Sequence, residues 1–135
     1  MSLDVSPTLL KQAEAGDVDR REFIATVEAS LPYAYRMVED LTARLTAGPA
    51  DAEFADNQTA PTEPERAQLL RALASDSIRG SMERHFGVKL AFQNCHRVAA
   101  FTSAAVDGDR YRAFISPRGQ LLNQSPELRD CRIGR

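Results

Sequence analysis

Apolar residues between positions 19 and 47 recur at alternating spacings of three and four, which predicts an amphipathic helix about three heptads long. This helical stripe consists of Ile24, Val27, Leu31, Ala34, Val38, Leu41 and Leu45. Asp19 begins a capping-box pattern at the start of this predicted helix. Pro32 interrupts the stripe, so the segment is either one kinked helix or two helices that meet at Ser30, which would act as a local cap. The stripe faces either the core of a small bundle or the seam of a coiled-coil dimer.

A second and a third helical region are predicted on either side of the stripe. Ser6-Pro7 is typical of an N-cap followed by the first helical residue, and Gly16 ends this short opening helix. Thr62 begins a helix with another capping-box pattern, and that helix ends at Gly87 with weak helix formers in its middle. Residues 48–61 have no apolar period and are predicted to form a loop.

Beyond Gly87 the apolar period changes to two, which predicts strands. The runs RVAAFTSAAV and DRYRAFIS flank Asp107-Gly108, the pattern of a two-residue hairpin turn, and this hairpin would place Phe101 opposite Phe114. Pro117-Arg118-Gly119 predicts a further turn into a short strand, QLLN.

These elements predict one α+β domain over residues 1–135, with three to four N-terminal helices followed by a small three- to four-stranded antiparallel meander. The helical part is expected to span residues 6–87 and the β-meander part residues 88–124. A short turn or helix is expected over 125–135. A chain of 135 residues has the length of a single domain.

Charge and composition add a source and a location to this picture. Fifteen arginines against two lysines, with abundant alanine, indicate a GC-rich bacterial genome. The chain contains no run of about 18 apolar residues, so no membrane span is predicted. Its first residues do not resemble a signal peptide. Two cysteines far apart are not a secreted disulfide framework, so we expect a cytoplasmic protein with reduced thiols.

The charge is divided unevenly along the chain. Residues 1–78 carry a net charge of −7, and residues 79–135 a net charge of +5. Such asymmetry indicates either an anion-binding half or two halves that complement each other.

One candidate ligand site follows from the predicted hairpin. Arg97, Arg110 and Arg112 would share a face with Phe101 and Phe114, a composition that neutralises anions and stacks on aromatic groups. The ribonucleoprotein sequence pattern of RNA-binding sheets is absent, so a nucleic-acid partner is not favoured.

A metal site is the second candidate. His85, Cys95, His96 and Cys131 are the only imidazole and thiol groups in the chain, and four ligands suffice for a closed zinc site. Their spacing matches no ligand pattern, so we expect no metal and no cofactor. No sequence pattern of a catalytic site or of a phosphate-binding loop occurs.

The sequence therefore favours a non-catalytic interaction or regulatory module that self-associates as a homodimer or binds another protein. The homodimer would cover the helical stripe or the second face of the sheet. The alternative is a protein or enzyme that binds an anionic small molecule in a pocket between sheet and helices.

Overall fold

A computed structural model describes residues 3–93 and 96–122 and confirms the α+β class. In chain order its elements are α1 (Pro7–Ala15), α2 (Arg20–Ser30), α3 (Pro32–Ala47), β1 (Phe54–Asp56), α4 (Glu63–Ala74), α5 (Asp76–Phe86), β2 (Lys89–Gln93), β3 (Arg97–Phe101), a 3-10 turn (Ser103–Asp107), α6 (Asp109–Phe114) and α7 (Pro117–Leu122).

Local capping decides where several helices begin and end, as the sequence predicts. Ser6 and Asp19 each accept a hydrogen bond from the backbone N–H three residues further on. Thr62 and Glu65 form a complete capping box at the start of α4. Gly87 adopts a φ of 73° and ends α5 in the left-handed conformation that glycine tolerates best.

The segment that carries the helical stripe is two helices and not one kinked helix. Leu31 separates them with a φ of −129° and a ψ of 61°, and Pro32 is the first residue of α3. Ser30 does not cap α3, because its hydroxyl accepts a hydrogen bond from the backbone N–H of Asp4. The cap comes instead from Gln68 on α4, whose side-chain oxygen accepts two backbone N–H groups in the first turn of α3 at 2.8 and 3.2 Å.

The sheet has three antiparallel strands in the order β1-β3-β2, so it is not a meander. The chain passes from β1 through two helices to the opposite edge strand and only then enters the centre. Phe54 of β1 and Lys89 of β2 both lie opposite Phe101 of β3. The prediction of a loop is therefore wrong over Phe54–Asp56.

The hairpin predicted around Asp107-Gly108 is also wrong. After Phe101 the chain forms the 3-10 turn and then α6. Because β1 and β2 pair with both edges of β3, the residues after Gly108 cannot pair with β3 as the hairpin would require. Gly108 has a φ of −90° and lacks the positive φ that a type I′ turn requires. Asp109 and Arg112 form an ion pair of 2.7 Å at the i,i+3 spacing that suits a helix.

The short strand predicted from Gln120 is replaced by α7, which continues to Leu122. The turn or helix predicted over residues 125–135 lies outside the described residues.

The sheet separates two apolar clusters. The larger one lies between the sheet and helices α2–α5 and contains the whole helical stripe. The smaller one lies on the other face and consists of Ala91, Ala99, Phe101, Ala105 and Phe114. The stripe therefore faces the core of its own chain, and both faces of the sheet are covered. These are the two surfaces that the predicted homodimer would cover.

None of the helices in the described part of the chain has both the length and the apolar character needed to cross a membrane.

Candidate binding groove

The structure does not assemble the predicted anion face. Arg97 is only 3% exposed, and its Nη1 lies 3.0 Å from Oδ2 of Asp56, which is itself buried. The same nitrogen donates to the backbone oxygen of Asn57. Arg97 therefore joins the start of β3 to the end of β1 inside the protein.

The two other arginines of that prediction lie on the surface of α6. Arg110 has its Nε 3.7 Å from a carboxylate oxygen of Glu53 and its guanidinium 5.5 Å from the ring centroid of Phe54. Arg112 pairs with Asp109. Each of these cations already has an anionic neighbour in its own chain.

Phe101 and Phe114 do meet, although by a different route. Their ring centroids are 5.9 Å apart in an edge-on arrangement, and both side chains are fully buried. A helix packed on the sheet, and not a neighbouring strand, brings them together. Both rings therefore belong to the smaller apolar cluster and offer no open face to a ligand.

The predicted metal ligands are described only in part. His85 is exposed on α5, while His96 precedes β3 and accepts a hydrogen bond on its backbone oxygen from Asn57 at 2.7 Å. Cys95 and Cys131 lie outside the described residues. Within residues 3–93 and 96–122, no group of three His, Cys, Asp or Glu side chains is placed to hold a metal ion.

A groove of about 630 Å³ opens between α1, α2 and α5, and we call it the α1–α2–α5 groove. Sites for small molecules have volumes of roughly 300–1,000 Å³ and mostly apolar linings with a few polar groups. The large apolar side chains in its lining are Leu3, Val5, Leu9, Leu10, Val18, Phe23 and Ile24. The groove therefore has the size and the lining of a small-molecule site.

Gln12 holds α1, which forms one wall of the groove, beside α2. Its side-chain oxygen accepts the backbone N–H of Asp19 at 2.9 Å, and its Nε2 donates to a carboxylate oxygen of Glu22 at 2.6 Å. Leu9, only 5% exposed, anchors α1 from below. Since adjacent helical residues point about 100° apart, Leu10 cannot share that buried position.

Exposed apolar side chains are concentrated at this groove. Six large apolar side chains are exposed in the described part of the chain, and three of them, Val5, Leu10 and Val18, line the groove with exposures of 49%, 54% and 42%. Single exposed apolar residues are ordinary, but a contiguous group indicates a binding surface.

The charged groups of the groove are all basic. Arg20, Arg21, Arg84 and His85 lie in its lining, and no described Asp or Glu does. Arg20 and Arg21 form no ion pair with any carboxylate among the described residues. The charged part of the lining thus presents positive charge to a ligand.

Behind the rim, aromatic rings support His85. Its ring lies edge-on to that of Phe86, with 4.8 Å between centroids, and 6.4 Å from the ring of Tyr35. Burial raises the pKa of Tyr35, and the carboxylates of Glu28 and Glu39 raise it further. Tyr35 therefore stays a neutral phenol at neutral pH and adds no charge of its own behind His85.

Sequence reasoning missed this groove because it depends on where α1 docks. A signal was nevertheless present. Val5, Leu10 and Val18 are large apolar residues outside the helical stripe, in a short helix and its flanks that cannot bury both of two adjacent leucines.

The family model described as "NucS shadow ORF" matches residues 1–131 of the chain. Its short name also carries the letters KH, and the description gives no activity. No curated protein and no solved structure matches the chain.

Proposed function

Because the chain belongs to the NucS shadow ORF family, whose description states no activity, we propose from its geometry that it is a non-catalytic binding module. Its binding site is the α1–α2–α5 groove, and the ligand is an amphiphilic small molecule. The observation that carries this proposal is the concentration of exposed apolar side chains in a groove of small-molecule size.

The lining of the groove supports a binding role over a catalytic one. Ser81 and His85 both line it, and a serine beside a histidine is the beginning of a nucleophilic site. However, Arg84 donates to the hydroxyl of Ser81 at 3.3 Å, and no described carboxylate lines the groove to orient His85. The groups present can hold an anion but lack the third member that activates a serine.

A nucleic-acid ligand is less well supported, although the family's short name carries the letters KH. KH modules clamp the nucleic-acid backbone with a G-x-x-G loop. No two glycines of this chain are three positions apart. The chain therefore lacks the residues with which such a module holds its ligand.

Binding of the uncharged dye Nile red to the purified full-length chain tests the proposal. We expect saturable binding at one site. For Leu10→Ser we expect a roughly fivefold loss of affinity, because the exposed half of the Leu10 side chain no longer contacts the dye. Leu70→Ser is the matched control, since Leu70 is 47% exposed on α4 and does not line the groove. Equal affinity of the two variants for the dye would contradict the proposal.

Self-association is a second prediction and uses a different surface. Ile115 and Leu121, 55% and 69% exposed, lie outside the groove near the end of the described chain. We expect a homodimer in light scattering at micromolar concentration and a monomer for the double variant Ile115→Ser, Leu121→Ser, because the substitutions remove the apolar contact. A monomer of the unmodified chain at every concentration would rule out this prediction.

A further inference from the structure

Resting on the proposed function, we infer that the ligand of the α1–α2–α5 groove is a single-chain anionic amphiphile, a long-chain monocarboxylate. Its hydrocarbon chain lies among the apolar side chains of α1 and α2, and its carboxylate lies at the rim with Arg20, Arg21 and Arg84.

The inner part of the groove favours a hydrocarbon chain. Leu9 and Ile24 are 5% and 7% exposed and form its floor, and Phe23 is partly buried beside them. The uncharged polar side chains in the lining are hydroxyls, those of Thr26, Ser77 and Ser81. A ligand that fills this space with polar atoms would leave most of them without hydrogen-bond partners.

The rim favours a negative head group over a neutral or a positive one. Arginine binds carboxylates in a bidentate geometry, and three arginines from two helices line the same groove. A quaternary ammonium head would instead meet positive charge on each side, with no described carboxylate in the lining to balance it.

The position of Arg20 and Arg21 is an independent argument for an anion. They are the first two residues of α2, whose N-terminus carries the positive end of the helix dipole. Cations stabilise the C-terminal end of a helix and not its N-terminal end. Helix stability therefore does not account for these two arginines, whereas they could pair with a bound carboxylate; the helix N-terminus itself is already capped by the carboxylate of Asp19.

An acidic amphipathic helix from a partner protein would match the same charge pattern. The volume of about 630 Å³ favours the small molecule, because it lies within the range of small-molecule pockets.

Three probes with the same hydrocarbon chain test the inference: dodecanoate, dodecanol and dodecyltrimethylammonium, each displacing Nile red from the full-length chain at neutral pH and low salt. We expect dodecanoate to bind at least about tenfold more tightly than the ammonium compound, with dodecanol between them. The triple variant Arg20→Gln, Arg21→Gln, Arg84→Gln should lose about tenfold in affinity for dodecanoate and little for dodecanol. Arg71→Gln is the control, since Arg71 is an exposed arginine of α4 outside the groove.

The outcomes separate the two proposals. Equal affinities for the three probes, or failure of all three to displace bound Nile red, would overturn the anionic ligand and leave the binding groove standing. Displacement of the dye by an acidic amphipathic peptide but not by dodecanoate would also overturn the small anionic ligand and leave the binding groove standing. Absence of Nile red binding would overturn the proposed function and the inference with it. An unchanged unfolding midpoint shows that the variants, whose altered residues are exposed, remain folded.

Discussion

Replacement of Asp56 by alanine is expected to lower the free energy of unfolding by about 3–5 kcal/mol, the usual effect of removing one partner from a buried ion pair. Asp56 and Arg97 are 8% and 3% exposed, and their charged atoms are 3.0 Å apart. The alanine variant would retain a guanidinium inside the protein without the carboxylate that balances its charge. Urea denaturation followed by circular dichroism measures the change through the transition midpoint.

An exposed ion pair provides the control for this prediction. Asp109→Ala removes the carboxylate that pairs with Arg112 on the surface of α6 and should leave the midpoint unchanged. The double variant Asp56→Leu, Arg97→Met should recover much of the lost stability, because an apolar pair needs no charge balance. An Asp56→Ala variant as stable as the unmodified chain would contradict the buried pair.

Replacement of Phe101 by alanine should cost a similar amount, about 3–5 kcal/mol, because it opens a cavity in the smaller apolar cluster. Phe101 is completely buried, and its ring contacts those of Phe54, Tyr111 and Phe114 at centroid distances of 5.6, 5.1 and 5.9 Å. The loss should appear in the same urea titrations as a lower midpoint with an unchanged slope.

Two substitutions calibrate the result. Phe101→Leu keeps much of the volume and should cost less than the alanine variant. Leu70→Ala, at a position 47% exposed on α4, should cost little. A chain whose helices formed without a packed core would unfold gradually and respond equally to all three substitutions, so that result would argue against the cluster.

The parts of the fold that depend on neighbouring residues could be predicted from the sequence. The caps at Asp19 and Thr62 and the buried face of the stripe follow from residues within a turn or two of one another. The cap of α3 could not be predicted in this way, because it comes from Gln68, which is 35 positions from the N–H of Tyr33 that it binds.

The errors in the sheet have the same physical origin. Phe54–Asp56 is a strand of only three residues and has no alternating apolar pattern. It is a strand only because it pairs with β3. Once β1 takes the free edge of β3, the hairpin that Asp107-Gly108 favours locally has no strand to join. The local sequence favours a turn, but long-range pairing decides the outcome.

The candidate site also depends on contacts between residues that are distant in the sequence. Arg97, Arg110 and Arg112 were grouped by a hairpin register that does not form, so the structure separates the buried arginine from the two exposed ones. The arginines of the groove come together because α2 and α5 pack against each other, and no spacing along the chain brings Arg84 near Arg20 and Arg21.

The pairing of β1 with β3 also sets an order of events during folding. Only three residues separate β2 from β3, whereas Asp56 and Arg97 are 41 positions apart. Closing the longer loop costs more chain entropy, so β2 and β3 can associate early, while β1 joins after α4 and α5 have shortened the path between them. We therefore expect the ion pair to form after the rate-limiting barrier, so that its loss in Asp56→Ala should accelerate unfolding while hardly slowing folding.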